Sequence, residues 1–427
     1  MDGKKVSVVG MGYVWFPAAC AIAKSWKYET VYGFDIMQDK IDKINKKIAP
    51  IDDELAAKDI LEVTVIWTMD PEHLKECTYI LICVPTPIDE QHNPDLTPVI
   101  KASEMIAKYL QKWQYIILES TVNPGVCDET IIPILEKTWL KVWVDFEVGH
   151  SPERINPGDP KWNVYNIARN VWAYTKAWTK VIADFYRSFL HAEVNEMKDI
   201  QHAEATKIIE NTFRDVNIAY VNELAKSFDK LWLDIVDVIK WASNKPFAFM
   251  AHYPWCGVGW HCIAVDPYYL IEKAKRAGFD HKFLRIAREI NNSMPSHTVN
   301  KLMLALNKIG KSIKWTKIWL LWLSYKRDIA DMRESPSFEI LKLLKELEAT
   351  VEIYEPYNLE KSTCKSLDEI VEKSEALLIA TNHTEFTKNL TIDKLSKSGV
   401  KIILDGRNCL DKESFKESGI MYSGIGR

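Results

Sequence analysis

The feature that most constrains the fold is a glycine turn directly after the first apolar strand. Val6–Val9 predicts a short buried strand, and Gly10-x-Gly12-x-x-Trp15 follows it before a helical pattern over residues 16–24. A strand, a GxGxx turn and a helix begin a βαβ unit in which the glycines let the backbone approach a pyrophosphate. A second strand, Thr30–Phe34, ends at Asp35, where an acidic group can accept from a ribose hydroxyl. Together these residues favour a dinucleotide-binding domain over a plain structural turn. No arginine directly follows Asp35 to hold a 2′-phosphate, so NAD is favoured over NADP.

Composition excludes several classes of function. The net charge of −4 offers no basic surface for nucleic acid. No apolar run approaches the length of a membrane span, and no signal peptide is apparent. The eight cysteines, none in CxxC spacing, predict a reducing compartment and no metal site. We therefore expect a cytoplasmic protein that binds neither nucleic acid nor membrane.

Alternating strands and helices occupy both ends of the chain. In the first part, polar groups follow three apolar strands and make Thr86, Thr121 and Glu153 candidate site residues, although any one alone is more often a turn former. The same pattern resumes after Lys311. We predict an α/β fold in which two Rossmann-like parallel-sheet domains are joined by a helical middle domain with a long central helix. The expected domains are 1–195 (NAD-binding), 196–305 (helical, with the cysteine loop) and 306–427 (a second, smaller Rossmann-like domain). The predicted strands are Val6–Val9, Thr30–Phe34, Tyr79–Val84, Tyr115–Leu118, Phe146–Val148, Ile318–Leu323, Thr350–Tyr354, Ala376–Ala380 and Lys401–Leu404.

The middle of the chain carries a long helical pattern from about Ala203 to Leu231. Lys207 and Asn211 are four residues apart and Arg214 follows three later, so all three share one face. Such a face is usually solvated. Here the flanking residues are strongly apolar, which favours a buried helix that turns Lys and Asn inward toward a site.

A glycine-punctuated loop from Pro254 delivers Cys262, and Asp266 follows four residues later. Asp266-Pro267 predicts a helix start, so Cys262 lies just before a helix N-terminus, where partial positive charge favours the thiolate. Either Cys256 or Cys262 alone is more often a buried thiol that acts as a small apolar residue. The surrounding glycines favour a reactive role for Cys262.

Tryptophan is unusually frequent and glycine unusually scarce, at sixteen residues each. Average usage of about 7% predicts roughly thirty glycines in a chain of this length. Several tryptophans occupy turn positions, for example Trp26 and Trp315. Our hypothesis is that many or all of them stand where the functional protein has glycine, for instance because a UGA codon was translated as Trp under the wrong genetic code. The alternative is a tryptophan-rich natural or engineered protein.

With these motifs in view, the sequence resembles the UDP-sugar 6-dehydrogenases, the UDP-glucose and UDP-N-acetylhexosamine dehydrogenase family. The resemblance runs through nearly the whole chain. The cysteine loop is similar to that of the branch acting on N-acetylated sugars, and Val265 stands where the UDP-glucose branch has lysine. The motifs that carry the resemblance are Gly10-x-Gly12, Val84-Pro85-Thr86-Pro87, Glu119-Ser120-Thr121, Ser151-Pro152-Glu153-Arg154-Ile155, Lys207 with Asn211, the cysteine loop, and Asp331-Met332-Arg333-Glu334-Ser335-Pro336.

The resemblance implies a four-electron oxidation of the C6 hydroxymethyl group of a UDP-N-acetylhexosamine to the uronate, with NAD as cofactor. The intermediates would be a thiohemiacetal and a thioester on Cys262, and the product would feed surface polysaccharide synthesis. The implied catalytic residues are Cys262, Lys207, Asn211, Asp266, Thr121 and Glu153. The implied cofactor-binding residues are Gly10, Gly12, Tyr13, Val14, Asp35, Lys40, Thr86, Thr121 and Arg333. The implied substrate-binding residues are Glu153, Arg154, Lys207, Asn211, Arg214, Gly259 and Lys326.

In this family the middle helices form a dimer interface, so the resemblance also implies at least a homodimer. Three alternatives remain open: a UDP-glucose 6-dehydrogenase, a two-electron dehydrogenase of a small hydroxy acid, and a nucleotide-sugar-binding homologue without catalysis. Trp15, Trp260 and Trp322 occupy glycine positions of the family pattern and would favour the last alternative if they are genuine. The hexosamine epimer also stays open.

Overall fold

The computed structural model of the protein describes residues 3–12, 15–51, 53–89, 91–155, 161–259, 262–321 and 323–427. Tyr13, Val14, Trp260, His261 and Trp322 therefore lie outside the described residues. The chain forms two compact units. The first contains residues 1–210 and 268–280, and the second contains residues 211–267 and 281–427.

The first unit is built on an eight-stranded sheet with the order β3-β2-β1-β4-β5-β6-β7-β8. Neighbouring strands are parallel except for β6 and β7, which are antiparallel. The chain reverses its direction of strand addition between β1 and β4, so ligands are expected at the carboxyl ends of these two strands. The strands are β1 (Lys5–Val9), β2 (Thr30–Phe34), β3 (Ile66–Thr68), β4 (Tyr79–Ile82), β5 (Tyr115–Leu118), β6 (Glu147–His150), β7 (Arg169–Ala173) and β8 (Val194–Glu196).

Six helices of the first unit lie between these strands in the sequence. Buried apolar residues of the sheet and helices form two clusters, as expected for parallel strands with apolar runs that helices cover on both faces. The helices are α1 (Trp15–Lys24), α2 (Gln38–Asn45), α3 (Glu54–Glu62), α4 (Thr97–Tyr109), α5 (Ile132–Leu135) and α6 (Lys176–Arg187). Short 3-10 and π-helical turns cover Pro71–Glu76 and Cys127–Ile131.

The middle of the chain is helical, as predicted. It contains α7 (Ile200–Leu231), α8 (Ile235–Ala242), α9 (Asp266–Arg276), α10 (Lys282–Asn292) and α11 (Met294–Lys308). Ile208 and Ile218 on α7 are buried, whereas Ile209 and Phe213 are 60% and 49% exposed. The central helix is therefore apolar on an inner face and also on part of its outer face.

The second unit contains a five-stranded, entirely parallel sheet with the order β10-β9-β11-β12-β13. This confirms the second Rossmann-like sheet. The strands are β9 (Lys317–Leu321), β10 (Thr350–Tyr354), β11 (Ala376–Ile379), β12 (Ile402–Asp405) and β13 (Met421–Gly424). The helices are α12 (Pro336–Glu346), α13 (Leu367–Lys373), α14 (Thr384–Asn389) and α15 (Ile392–Ser396), with 3-10 turns at Leu359–Lys361 and Lys412–Phe415.

Five tryptophans adopt the left-handed backbone conformation that glycine favours. Twelve described residues other than glycine have positive φ, and five of these twelve are tryptophan. Their φ values lie between 55° and 69°. A bulky L-residue is a genuine outlier in this region, whereas glycine enters it freely. The five residues are Trp26, Trp113, Trp143, Trp232 and Trp315.

Trp232 illustrates the point, because it follows the last residue of α7. Its φ is 58°, and the N–H of Leu233 donates to the carbonyl of Phe228 (3.1 Å). This six-to-one bond closes a Schellman motif, whose left-handed residue is usually glycine. The local geometry therefore supports the hypothesis of glycine at this position.

Candidate active site

The glycine turn between β1 and α1 leaves no room for a side chain at Gly10. Gly10 has a φ of 105°, and a Cβ atom built on it would lie 2.4 Å from the carbonyl oxygen of Cys83. The N–H groups of Trp15 and Phe16 donate to the carbonyl of Gly12, both at 3.2 Å, and α1 begins there. The result is a bare backbone cradle before a helix N-terminus, which suits a phosphate.

Asp35 and Lys40, both predicted from the sequence to lie at the cofactor, meet at the carboxyl end of β2. Lys40 Nζ lies 2.9 Å from Oδ2 of Asp35. Asp35 also accepts from the N–H of Met11 (2.9 Å) and of Met37 (3.0 Å). One buried carboxylate thus ties the glycine turn to β2. The cradle and this acidic group fit an adenine dinucleotide.

The loops after β4 and β5 carry the candidate threonines. The hydroxyl of Ser120 donates to the carbonyl of Val84 (2.7 Å), which ties these two loops together. Thr86 and Thr121 are both partly buried at the ends of these strands. The carboxyl ends of parallel strands are where α/β proteins bind ligands.

Glu153 belongs to a buried ionic cluster with Arg169 and Glu119. Its Oε1 accepts from the N–H groups of Arg154 (2.6 Å) and Ile155 (2.7 Å), and its Oε2 accepts from Nη2 of Arg169. Nη1 of Arg169 lies 3.6 Å from Glu119, whose other oxygen accepts from the Tyr186 hydroxyl. Burial raises the pKa of Glu119 to about 7. Glu153 is therefore held firmly by its own loop and by a buried guanidinium.

Arg154, predicted to bind substrate, forms an ion pair with Glu210 on α7. Its Nε and Nη2 lie 3.1 Å and 2.5 Å from the carboxylate of Glu210, and Nη1 donates to the carbonyl of Ala168 (3.1 Å). On the same helix Lys207 and Asn211 are only 9% and 5% exposed. The prediction that these two polar side chains point inward is therefore confirmed.

The cysteine loop lies in the second unit, where its glycines pass close to other backbone. A Cβ atom on Gly259 would lie 2.6 Å from Cβ of Tyr325 and 3.0 Å from the carbonyl oxygen of Glu334. Gly257 has a φ of 143°, and a Cβ atom there would lie 2.8 Å from Pro336. Cys256, the other cysteine of the loop, is buried. Only glycine fits at these two positions.

Cys262 lies where this loop enters α9. Its carbonyl accepts from the N–H of Asp266 (2.8 Å), and α9 begins at Asp266, at the predicted Asp266-Pro267 helix start. Asn211 Nδ2 donates to Oδ2 of Asp266 (2.6 Å), and both side chains are buried. The structure therefore brings three predicted catalytic residues together: Cys262, Asp266 and Asn211.

The Cys262 thiol lies within electrostatic reach of two guanidinium groups. Arg214 and Arg333 both interact electrostatically with Cys262 and with Tyr325. Burial lowers the pKa of Arg214, and the hydrogen bonds from Arg333 to Asp331 (2.9 and 2.7 Å) raise the pKa of Arg333. Two guanidinium groups favour the thiolate form of a cysteine. A thiolate is the form that acts as a nucleophile.

The carboxyl ends of β9, β10 and β11 hold the loop that carries Lys326. Glu355 accepts from the N–H groups of Leu323 (3.1 Å) and Ser324 (3.0 Å), and the Thr381 hydroxyl donates to the carbonyl of Ser324 (2.9 Å). Lys326 itself is partly buried. This loop lies at the switch point of the second sheet, where nucleotides bind in folds of this type.

Sequence reasoning missed several buried polar residues. Arg169 and Tyr186 were not predicted because their partners lie on distant strands. Glu204 on α7, which accepts from the N–H groups of Gly125 (2.5 Å) and Cys127 (3.0 Å), was also missed. A signal existed, since the polar residues of α7 recur at helical spacing on one stripe. This stripe contains Glu204, Lys207, Asn211, Asp215 and Asn222.

Both sheets have nucleotide-type switch points, an acidic group follows the second strand, and a thiol lies near two guanidinium groups. These features are typical of an NAD-dependent dehydrogenase with a second nucleotide-binding sheet. Comparison with known families agrees. The NAD binding domain of the UDP-glucose/GDP-mannose dehydrogenase family matches residues 4–190, its central domain residues 201–293 and its UDP binding domain residues 320–412. The chain belongs to the UDP-glucose/GDP-mannose dehydrogenase family, whose members are NAD-dependent oxidoreductases.

Individual relatives match over almost the full length. UDP-N-acetyl-D-glucosamine 6-dehydrogenase of Pseudomonas aeruginosa is 35% identical, covering 97% of this chain and 99% of its own. Protein CapL of Staphylococcus aureus is 37% identical, covering 90% and 91%. The solved structure of a UDP-D-ManNAc dehydrogenase from Pyrococcus horikoshii superposes with a TM-score of 0.92 at 33% identity, covering 99% of both chains.

These findings confirm the predicted family, the α/β fold and NAD as the cofactor. The UDP binding domain supports a UDP-sugar as the substrate partner. In the part of the chain that the structure describes, none of the helices combines the length and hydrophobicity of a membrane span.

Proposed function

We propose that this protein oxidises the C6 hydroxymethyl group of a UDP-N-acetylhexosamine to the carboxylate, through a covalent intermediate on Cys262. The observation that carries the proposal is the surroundings of this thiol. Cys262 lies four residues before the start of α9, where its carbonyl accepts from the N–H of Asp266 (2.8 Å), and Asp266 in turn accepts from Asn211 (2.6 Å). Arg214 and Arg333 both act electrostatically on the thiol. A two-electron oxidation of an alcohol has no use for an activated thiol, whereas an aldehyde-to-acid step does.

The proposed steps balance as follows. The alcohol loses a proton and a hydride and becomes an aldehyde, and the Cys262 thiolate adds to the aldehyde carbon, forming a C–S bond and an oxyanion. Loss of a second hydride from that carbon gives a thioester, and water cleaves the C–S bond, releasing the carboxylate and the thiol. NAD⁺, when bound, accepts the hydride in each oxidation. Four electrons leave the sugar in total.

Each buried polar residue has a proposed role in these steps. Lys207 and Asn211, one turn apart on α7, stabilise the oxyanion, since preorganised donors are most effective where charge develops. Asp266 orients the water or accepts its proton, and its bond to Asn211 holds the carboxylate in place. Thr121 and Glu153 are proposed to contact the sugar and the nicotinamide. Arg154, Arg214, Gly259 and Lys326 are proposed to bind the sugar nucleotide, and Arg333 the cofactor.

The N-acetylated sugar is supported by two observations. Two of the three relatives named above act, by their names, on UDP-N-acetyl-D-glucosamine and UDP-D-ManNAc. By the resemblance, Val265 stands where the UDP-glucose branch of the family has a lysine. We further propose three domains at 1–195 (NAD-binding), 196–305 (helical, with the cysteine loop and a dimer interface) and 306–427 (UDP-sugar-binding). A role in surface polysaccharide synthesis and a cytoplasmic location are proposed as well.

A homodimer is also proposed, with α7 in its interface. Ile209, Phe213 and Tyr220 form one stripe on α7 and are 60%, 49% and 58% exposed. An apolar stripe of this kind on a central helix is typical of a protein interface. Light scattering on the purified protein tests this, and a monomer at micromolar concentration would contradict it.

A panel of UDP-sugars tests the substrate. We expect kcat/KM with NAD⁺ to be at least tenfold higher for one of UDP-GlcNAc, UDP-ManNAc and UDP-GalNAc than for UDP-glucose, and the product to be the uronate by mass spectrometry. A preference for UDP-glucose would contradict the proposed substrate. The panel is run on two proteins: the printed chain, which has tryptophan at all sixteen positions, and the glycine form, which we define as the chain with glycine at these positions. The variants described below are made in the form that shows enzymatic turnover.

A further inference from the structure

A chain of buried amide side chains runs from the cysteine loop into the helices behind it. The N–H of Trp255 donates to Oδ1 of Asn222 (2.8 Å), and Nδ2 of Asn222 donates to Oδ1 of Asn291 (2.9 Å). Nδ2 of Asn291 donates to Oδ1 of Asp215 (2.8 Å), which also accepts from Nη1 of Arg288 (2.5 Å). All four side chains of this chain, on α7 and α10, are at most 4% exposed.

The donor and acceptor of every hydrogen bond in this series are determined by its two ends, the backbone N–H of residue 255 and the Asp215–Arg288 pair. A backbone N–H can only donate, so it requires the carbonyl oxygen of Asn222, which turns the NH₂ group of Asn222 toward Asn291. The same logic turns the NH₂ group of Asn291 toward Asp215, an acceptor held by the Arg288 guanidinium. Aligned bonds of this kind polarise one another in a low-dielectric interior. Helix packing alone requires none of these polar groups, since buried polar groups are costly unless they are fully paired.

The helix α7 holds the cysteine loop at both ends. Asn222 holds residue 255 at the entry, and Asn211 holds Asp266 at the exit. The two asparagines are eleven residues apart, which is three helical turns, or about 16 Å, along one face. Since the bond at the entry is made by the backbone, it does not depend on the side chain at position 255.

We propose that Asn222, Asn291 and Asp215 are positioning residues for Cys262, and that α7 sets the span of the cysteine loop through Asn222 and Asn211. A loop held at both ends keeps the thiol in reach of the aldehyde before the aldehyde can leave. This inference rests on the proposed covalent function. It adds residues that act through the loop and contact neither substrate nor cofactor.

The test measures what happens to the aldehyde. Asn222→Ala and Asn291→Ala are compared with Asn217→Ala, a control on the same helix whose partly buried side chain donates to the carbonyl of Phe213 in its own turn (2.7 Å). We expect both test variants to lower kcat at least tenfold, to release aldehyde that a hydrazine reagent traps, and to reduce the NADH formed per sugar from two toward one. Thermal melts show whether each variant is folded.

A double variant shows whether Asn222 and Asn291 act in series, as one hydrogen-bonded chain, or independently of each other. If the residues act in series, Asn222→Ala with Asn291→Ala is no worse than either single variant, because the chain is already broken. Multiplied effects, or a wild-type NADH ratio in both single variants, overturn the proposal. If both variants fail to fold, hydrogen exchange on the unmodified protein tests the proposed series of hydrogen bonds. The backbone amide of residue 255 is then expected to be protected, and exchange at the rate of an unstructured amide would refute the proposal.

Cys262→Ser distinguishes this proposal from the function on which it rests. If Cys262→Ser retains full turnover, the covalent function fails. If that variant is inactive while Asn222→Ala and Asn291→Ala behave like the wild type, the function stands and the positioning proposal fails.

Discussion

Glycine in place of the five tryptophans with positive φ should stabilise the protein strongly. An L-residue in the left-handed region costs about 1–2 kcal/mol, and glycine removes this cost. Little packing is lost in return, because all five residues are exposed, from 39% for Trp143, whose ring stacks on Tyr174, to 89% for Trp232. The five sites together hold about 5–10 kcal/mol of strain, which compares with a typical total stability of 5–15 kcal/mol.

The gain can be assigned to each unit. Trp26, Trp113 and Trp143 lie in the first unit, and Trp232 and Trp315 lie in the second. The first unit should gain about 3–6 kcal/mol, which corresponds to a rise in Tm on the order of 10 °C for a domain of this size. The assay is thermal unfolding of the printed chain and of the five-glycine variant, followed by circular dichroism.

Trp241→Gly provides the matched control. Trp241 is 70% exposed and lies inside α8, where glycine is less favourable than tryptophan by about 0.5 kcal/mol. Its substitution should therefore lower Tm slightly. A five-glycine variant no more stable than the printed chain would refute the strain argument.

The wider hypothesis extends to all sixteen positions. The printed chain should fold poorly or fail to bind NAD⁺, whereas the glycine form should be soluble and active. The source gene gives an independent check, because UGA is expected at these codons. UGG codons together with normal turnover of the tryptophan protein would contradict the hypothesis.

Three further predictions concern single residues. Asp35→Ala should weaken NAD⁺ binding by about 1.5–3 kcal/mol, the value of a hydrogen bond to a charged acceptor, with the exposed Asp39→Ala as control; an unchanged KM for NAD⁺ would contradict the assignment. Lys207→Ala should lower kcat more than it raises KM for the sugar nucleotide, because the charge matters most as the oxyanion develops, whereas Lys230→Ala at the exposed end of α7 should not; a pure KM effect would make Lys207 a binding residue. Burial raises the pKa of Glu204 from 4.5 to about 7, so the folded state binds this proton more tightly than the unfolded state. Protonated Glu204 should therefore contribute about 3 kcal/mol to the free energy of unfolding below about pH 4.5, and this contribution should be lost as the pH rises to about 7. Tm measured across this range should vary less in Glu204→Gln than in the exposed Glu223→Gln, and equal pH profiles would contradict the assignment.

The fold was largely predictable because both sheets are built from short apolar runs that end in turn residues. Predicted and observed strands such as Thr30–Phe34 and Thr350–Tyr354 coincide. β3 was missed because it has only three residues, one of them Trp67, and none of the three is buried. β7 was missed because it opens on Arg169, a charge that becomes favourable only once Glu119 and Glu153 lie beside it.

In the candidate site, the inward side chains of Lys207 and Asn211 were predictable, because the two residues share one face of a strongly apolar helix. The site was not predictable where a residue acts through partners distant in sequence. Asn222 and Asn291 are separated by 69 residues, and their amides find each other only when α7 and α10 pack. Single residues of this kind look like ordinary surface asparagines in a sequence.

The most direct test of the account is the number of NADH molecules formed per sugar consumed, measured together with the fate of Cys262. We predict two NADH per sugar, no aldehyde trapped by hydrazine during turnover, and a transient thioester on Cys262 that mass spectrometry detects after acid quenching. Cys262→Ser should form no thioester and lose turnover, while retaining NAD⁺ binding. One NADH per sugar, or full turnover by Cys262→Ser, would contradict the proposed covalent four-electron oxidation.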